Sequence, residues 1–417
     1  MQINGALRKL VRRAVIVLIF VGCEQQQLPP EQQPYETADL RARIDEANAA
    51  AVGFLLSKQS ADGAWRSETY GALTDGITLT PPVMKTLMFG PPSDEALAAI
   101  QRAAEYLRSW VNDDGTIELQ GRAPDFPVYS ASLSVIALSR LPMEGFVGAR
   151  DAWLSFLREH QLTEPLGWDR VDLAFGGWGY SVFPPHKPQG TAAERPPFDA
   201  DLSSTLFAIG ALRLAGVWVD DPSIENALVF VKRCQNYNEM GGPVDSQFDD
   251  GGFFFTPTND LQNKAGSAGT DREGRLRYHS YGTATADGIR ALLRCGLQPD
   301  DPRVEAARRW LEDHFSTTTV PGVFEPMREQ DRDAAYYYYC WSVSHAFRQL
   351  TITTIRQNGR SVNWADDLAK ELLRRQRDDG SWANHHSFVK EDDPLIGTTL
   401  AAAALANCRQ ILWPDYE

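Results

Sequence analysis

Apolar residues along this 417-residue chain recur three and four apart in stretches such as Ala103, Leu107 and Trp110, the spacing that gathers one face of a helix. Each stretch runs into a glycine turn that cannot continue it, and a second stretch follows in which small and apolar residues fill nearly every position. These second stretches read SASLSVIAL (130 to 138), SSTLFAIGAL (203 to 212), TADGIRALL (285 to 293), SVSHAFRQL (342 to 350) and TTLAAAALA (398 to 406). A helix with a polar face stays wet on one side, whereas one apolar all round is buried on most sides. In the first unit TPPVMKTLMF (80 to 89) puts prolines at the helix start, where a missing N–H costs nothing.

The alternation is a repeat. FLLSKQSADGAW (54 to 65) carries Phe54, Leu55, Gln59, Gly63 and Trp65 in the pattern F-L-x3-Q-x3-G-x-W. YLRSWVNDDGTI (106 to 117) keeps the spacing with Val111 in the Gln place, and FLREHQ (156 to 161) precedes a delayed GGWGY (176 to 180). FVKRCQ (230 to 235) leads to DDGGFFF after an insertion, WLEDHF (310 to 315) to PGVF, and LLRRQRDDGSW (372 to 382) closes the set of six. Six amphipathic and six apolar helices in strict alternation predict an all-α fold, a closed α/α toroid with the apolar helices as inner barrel and the amphipathic ones outside. Short connections make residues 37–417 one domain. The repeat Gln and Trp, as in Gln59/Trp65 and Gln376/Trp382, are expected to tie neighbouring units together, and Gly63, Gly115 and Gly380 to allow the turns.

Composition narrows the function classes. A formal net charge of −14, with 43% hydrophobic and 23% charged residues, fits a globular body and argues against a nucleic-acid partner, which needs a basic face. The exception is the start. Arg8, Lys9, Arg12 and Arg13 precede the short apolar run AVIVLIFVG, which ends at Cys23 and is too short for a permanent membrane helix. Residues 1–22 therefore read as a lipoprotein-type export signal, Cys23 as the lipid attachment point, and residues 23–36 as a polar tether. That reading places the protein in the cell envelope, held to a membrane by its lipid. An ordinary signal peptide or an uncleaved anchor helix is the plainer alternative. Cys234, Cys295, Cys340 and Cys408 are too few and too scattered for a disulfide framework and read as buried thiols.

The Q-x3-G-x-W repeats, with GGWGY, DDGGFFFTP and HSYGTATADGIRALL, resemble those of squalene cyclases and protein prenyltransferase β subunits, and most closely bacterial prenyltransferase/squalene oxidase repeat proteins, from about residue 40 to the end. Squalene-cyclase-like enzymes protonate an alkene with the middle carboxylate of a D-x-D-D motif, and the resemblance puts that acid on Asp201, with Asp199 beside it, in FDADLSST (198 to 205). Leu202 stands where the last Asp of that motif would be, and helix capping is the bland reading of both aspartates. The prenyltransferase zinc set is not matched: Tyr336 in DAAYYYYC (333 to 340) holds the His position, no D-x-C pair precedes it, and the seven histidines show no ligand spacing with cysteines. We expect no catalytic metal and no cofactor.

Further candidates gather at the starts of the inner helices, which in such a barrel rim one mouth of the interior. The insertion 236–278 is long enough to fold over that mouth and ends in DREGRLRYHSYG, where Arg272, Arg275, Arg277 and His279 bring positive charge suited to an anionic head group. His279 is also a candidate acid/base group, with Tyr281, Asp333 and Tyr336 as further proton-transfer or orienting residues. Trp178, Tyr180, Phe253, Phe254 and Tyr338 are candidate walls for an apolar ligand. Three readings follow: an envelope protein acting on or binding an isoprenoid-type ligand, a non-catalytic scaffold for a protein partner, and a carbohydrate-active lyase or hydrolase.

Overall fold

The computed structural model describes residues 34–90, 93–119, 123–141, 144–188, 200–238, 245 and 247–414. Cys23 and Asp199 lie outside the described residues, as does the whole export signal. Residues 42–417 form one compact unit; of the preceding unit only the helical stretch 34–41 is described.

Described α-helices alternate between two layers. The outer set is α1 (Pro34–Ser57), α3 (Asp94–Arg108), α5 (Val147–Glu159), α7 (Pro222–Arg233), α9 (Pro302–His314) and α11 (Trp364–Arg375). The inner set is α2 (Thr80–Phe89), α4 (Pro127–Leu138), α6 (Leu202–Leu214), α8 (Gly282–Arg294), α10 (Tyr336–Gln349) and α12 (Pro394–Leu412). Each inner helix packs on the next, and α12 packs back on α2, so the inner ring is closed. The fold is an α/α toroid. Because one outer helix returns the chain between successive inner helices, all inner helices run in the same direction, with their N-termini at one mouth.

Local chemistry explains the boundaries. Asp-Pro pairs open α7, α9 and α12: the carboxylates of Asp221, Asp301 and Asp393 each accept the backbone N–H two residues on at 2.9 Å, and the proline occupies the position that needs no donor. The inner helices are buried on nearly all faces; in α6 every residue from Leu202 to Leu212 is buried. The 18-residue-plus apolar helix α12 is long enough to cross a membrane by composition, but it is an inner member of this ring.

The repeat residues form stitches between units. The amide nitrogens of Gln59, Gln161, Gln235 and Gln376 each donate twice, once to the carbonyl of their own turn glycine (Gly63, Gly176, Gly251, Gly380) and once to a carbonyl of another outer helix (Ala99, Ser223, Arg303, Ala47), all at 2.8–3.0 Å. The last of these joins α11 to α1 and closes the outer ring. The indoles of Trp65, Trp178 and Trp382 donate back to a leucine carbonyl of their own outer helix (Leu55, Leu157, Leu372) at 2.7–2.8 Å. Their backbone N–H groups bond the hydroxyls of Thr80, Thr205 and Thr398 on the inner helix, and Phe253 does the same with Thr285. Phe253 is thus the fourth unit's counterpart of the repeat tryptophan. Gly176 has φ +86° and its missing Cβ would lie 1.9 Å from the Asn226 carbonyl, so only glycine lets the turn reach the next helix.

Two short antiparallel hairpins interrupt the helical pattern: β1 (Ser267–Thr270) with β2 (Leu276–Tyr278), and β3 (Ile355–Gln357) with β4 (Arg360–Val362). Cys234, Cys295, Cys340 and Cys408 are free and buried, as expected.

Candidate functional site

The ring interior is bridged by aromatic side chains from helices that are not ring neighbours. Phe207 on α6 stacks on Trp341 of α10, with ring centroids 5.5 Å apart and planes within 8°. Phe207 also meets Tyr338 of α10 at 6.5 Å and Tyr129 of α4 at 5.1 Å, and Tyr129 stacks on Tyr180 at 6.0 Å. Lys85 of α2 reaches across to place its ammonium 5.3 Å from the Trp341 ring centre. These contacts span the barrel, so the side chains involved face its axis. Lys85, Tyr129, Leu133, Tyr338 and His345 keep accessible surface although the helices that carry them are buried, as expected of groups lining an interior.

Two carboxylates, Asp201 and Glu391, stand at the N-termini of inner helices, and a third, Asp287, lies mid-way along α8. Asp201 is fully buried and caps α6: it accepts the Ser204 N–H at 2.8 Å, the Ser204 hydroxyl at 2.6 Å and the Ser203 hydroxyl at 3.0 Å. Burial pushes its pKa up, against the pull of those donors and of Tyr180. Asp287 of α8 accepts from the Tyr338 hydroxyl at 2.9 Å, from Ser342, and from Arg290 at 3.2 Å, and it too is raised by burial. Glu391 lies against the first turn of α10, accepting the Tyr337 and Tyr338 N–H groups at 2.9 and 2.8 Å and the Asn384 amide at 3.1 Å. A helix N-terminus favours its anion. Burial outweighs this and raises the group to about 7. The ammonium of Lys264, 5.3 Å from the centre of the Phe255 ring, feels Glu391, Asp201 and Asp287 together. One end of the interior therefore holds weak, buried carboxylic acids beside tyrosines and a lysine, an arrangement able to deliver a proton into an apolar space.

The remaining sequence candidates have other surroundings. Trp178 is committed to the stitch described above, and Phe253 packs its ring against the face of α8 at Gly288. Phe254 sits 5.1 Å from Tyr278. Tyr281 is buried at the N-terminal edge of α8, its ring 5.9 Å from Phe324. The Tyr336 hydroxyl donates to the Thr317 carbonyl at 2.5 Å, with Arg375 3.8 Å over its ring, and Asp333 accepts from Thr319 and the Val320 N–H. His279 is half-buried at the end of β2, its basicity lowered by burial. Arg275 pairs with Asp271 and Glu273, and Arg277 with Asp249 at 3.0 Å and Asp271 at 3.4 Å. Both arginines are engaged in holding the β1–β2 hairpin and its neighbouring loop. Asp201, Tyr180 and Tyr338 are the sequence candidates that meet in the interior.

Sequence reasoning missed Tyr129, Phe207, Trp341, Asp287, Glu391, Lys264, Lys85 and Arg290. A signal was present for some: Lys85, Asp287, Arg290 and His345 are ionisable residues inside stretches that are otherwise small and apolar. Among the described residues no group of three His, Cys, Asp or Glu is placed to hold a metal ion.

Fold and interior together define an α/α toroid with an aromatic, acid-bearing core. No protein-family model and no curated protein matches the sequence. Among solved structures the chain is similar to the type II terpene cyclase MstE from Scytonema, in complex with geranylgeranyl dihydroxybenzoate as substrate, at 12% identity and a TM-score of 0.54 over 91% of this chain and 100% of that one. It is similar also to the GH76A alpha-1,6-mannanase from Salegentibacter, at 12% identity and a TM-score of 0.52 over 89% of this chain and 100% of that one. At these identities the likeness shows the toroid fold.

Proposed function

We propose that the toroid interior binds an apolar isoprenoid-type ligand and acts on it by proton transfer from Asp201. The observation that carries this reading is the aromatic strip Tyr180, Tyr129, Phe207 and Trp341 crossing the ring beside a fully buried carboxylic acid. In such a site the acid gives its proton to an alkene carbon, a C–H bond forms from the π pair, and positive charge develops on the neighbouring carbon. Aromatic faces stabilise that cation where water cannot quench it. Loss of a proton from the cation to a base restores the proton count, so the net reaction is an isomerisation or cyclisation with no co-reactant. Leu202 in place of a third aspartate leaves Ser203, Ser204 and Tyr180 as the groups that position the Asp201 acid. The resemblance to squalene-cyclase-like repeats and the fold shared with a terpene cyclase support the same ligand class.

The test is mass spectrometry of small molecules that co-purify with the protein from a hopanoid- and quinone-containing bacterial host, against a mock purification. An enriched isoprenoid, converted by the native protein and left unchanged by Asp201→Asn, supports the reading. Turnover of α-mannan instead would replace it with the carbohydrate-active one. We further propose that the segment ending at Cys23 exports the protein and anchors it by lipid; metabolic labelling with palmitate, lost in Cys23→Ser, checks this.

A further inference from the structure

Towards the C-terminal ends of the inner helices the interior changes sign. Lys85 (α2), Arg290 and Arg294 (α8) and His345 and Arg348 (α10) influence one another electrostatically, with the exposed Arg140 just past α4 adding to the same field. The indole of Trp341 organises the centre of this group: the Arg290 guanidinium lies 4.1 Å and the Lys85 ammonium 5.3 Å from its ring centre, and His345 meets it edge-on at 5.2 Å.

Ordinary structural roles absorb part of the charge. Arg294 donates to the Leu206 carbonyl at 3.1 Å, Arg348 to the Gln410 amide, and Arg140 stacks on Phe89 at 4.9 Å. Such contacts at helix ends answer the helix dipole. Lys85 and Arg290 sit in mid-helix, where the dipole gives nothing. Arg290 is 1% exposed, has one carboxylate partner, Asp287, and leaves its Nε buried without a hydrogen-bond partner. Asp287 is shared with Tyr338 and Ser342. Among the described residues Lys85 has no hydrogen bond and no ion pair, only the face of Trp341. Lys85 and Arg290 thus share the Trp341 ring with Asp287 as the one carboxylate beside them, an excess of positive charge that an anion would offset. Burial and the neighbouring cations hold Lys85 down at about 7, the consequence of that missing partner.

We propose that this basic chamber binds an oxyanion, the phosphate or carboxylate head group of the ligand whose apolar part lies along the aromatic strip. The proposal rests on the apolar-ligand reading for the chain that carries the head group, but not for the anion site itself. The Arg290 guanidinium and the Lys85 ammonium, both against the Trp341 ring, suit an oxyanion with several acceptor atoms, and an apolar tail leaving it meets Trp341 and Phe207. The charge order along the barrel then fixes the ligand's direction: head at the cations, reacting end at Asp201.

Titration calorimetry on the full-length protein with farnesyl monophosphate, farnesol and inorganic phosphate separates the sources. The expected result is farnesyl monophosphate binding at least about tenfold tighter than farnesol, the advantage disappearing in Lys85→Met and Lys85→Gln while farnesol binding is unchanged. Farnesol and farnesyl monophosphate binding equally, or an advantage that survives in both variants, overturns the anion site and leaves the apolar-ligand reading standing. Inorganic phosphate binding that depends on Lys85, with neither prenyl compound bound, keeps the anion site and overturns the apolar ligand. No binding by any of the three overturns both. The comparison of the two prenyl compounds on the native protein needs no variant, so misfolding of a variant does not blunt the test.

Discussion

The two ends of the ring interior solve the problem of buried charge differently. At the inner-helix N-termini the carboxylates have donors: Asp201 has two serine hydroxyls and an N–H, and Glu391 two N–H groups and an amide. Towards the C-termini Lys85 has only an indole face. At the first end the Asp201 and Glu391 carboxylates are fully served by donors, and burial favours their protonated forms. At the second, Lys85 has no hydrogen bond or ion pair among the described residues, the gap the proposed anion would fill.

The largest effect expected is on catalysis. Asp201→Asn keeps a side-chain acceptor for the α6 N-terminus, so stability should change by no more than about 1 kcal/mol, while turnover of the isoprenoid ligand should vanish. Urea denaturation and product analysis on the same preparation check both halves. Next, Arg290→Met strips Asp287 of its buried cation and should cost about 3–5 kcal/mol in urea denaturation. If Lys85→Met costs as much, the contrast between partnered and unpartnered charge is broken.

Glu391 sharpens the comparison through pH. Its native value of about 7 lies above the ordinary 4.5, so the folded protein holds a proton that the unfolded chain releases. The stability it contributes is complete below pH 4.5 and is lost as pH rises through about 7. Thermal melts of the native protein should fall across that window, and Glu391→Gln should flatten them. The smallest effect is at the other end: Lys85→Met removes a cation that has no partner to lose, and the melting temperature should stay level or rise by about 1–3 °C.

Much of the architecture was legible because it repeats. The alternation of amphipathic and apolar stretches defined twelve helices in two layers, and the Gln, Gly and Trp positions carried the stitches, since each is solved by contacts within one unit and its successor. Phe253 was read as an interior wall, and its place as the fourth unit's tryptophan counterpart emerges only once the insertion before DDGGFFF is aligned in space. The interior was far less legible. Lys85, Phe207, Arg290 and Trp341 come from four different units and meet only because the ring closes, and no local spacing encodes that meeting. Arg275 and Arg277 show the converse: a basic cluster in the sequence is neutralised by Asp249 and Asp271, one of them more than twenty residues away. Asp201 was singled out by resemblance and by its position before a helix, and the structure shows it as a fully buried carboxylate with a cap's hydrogen bonds.

The stitch from Gln376 to Ala47 joins residues 329 positions apart. During synthesis the chain emerges from its first helix onward, and each seam can form as soon as the next outer helix is made. This one cannot. Gln376, the partner of α1 in this seam, ends the eleventh of twelve described helices, so the seam must wait until almost the whole polypeptide has been made. A contact of such sequence separation is entropically late and slow to form. The toroid is therefore a fold whose completion is signalled by the meeting of its first and last repeat units, and a chain truncated before α11 would leave an open arc with two exposed edges.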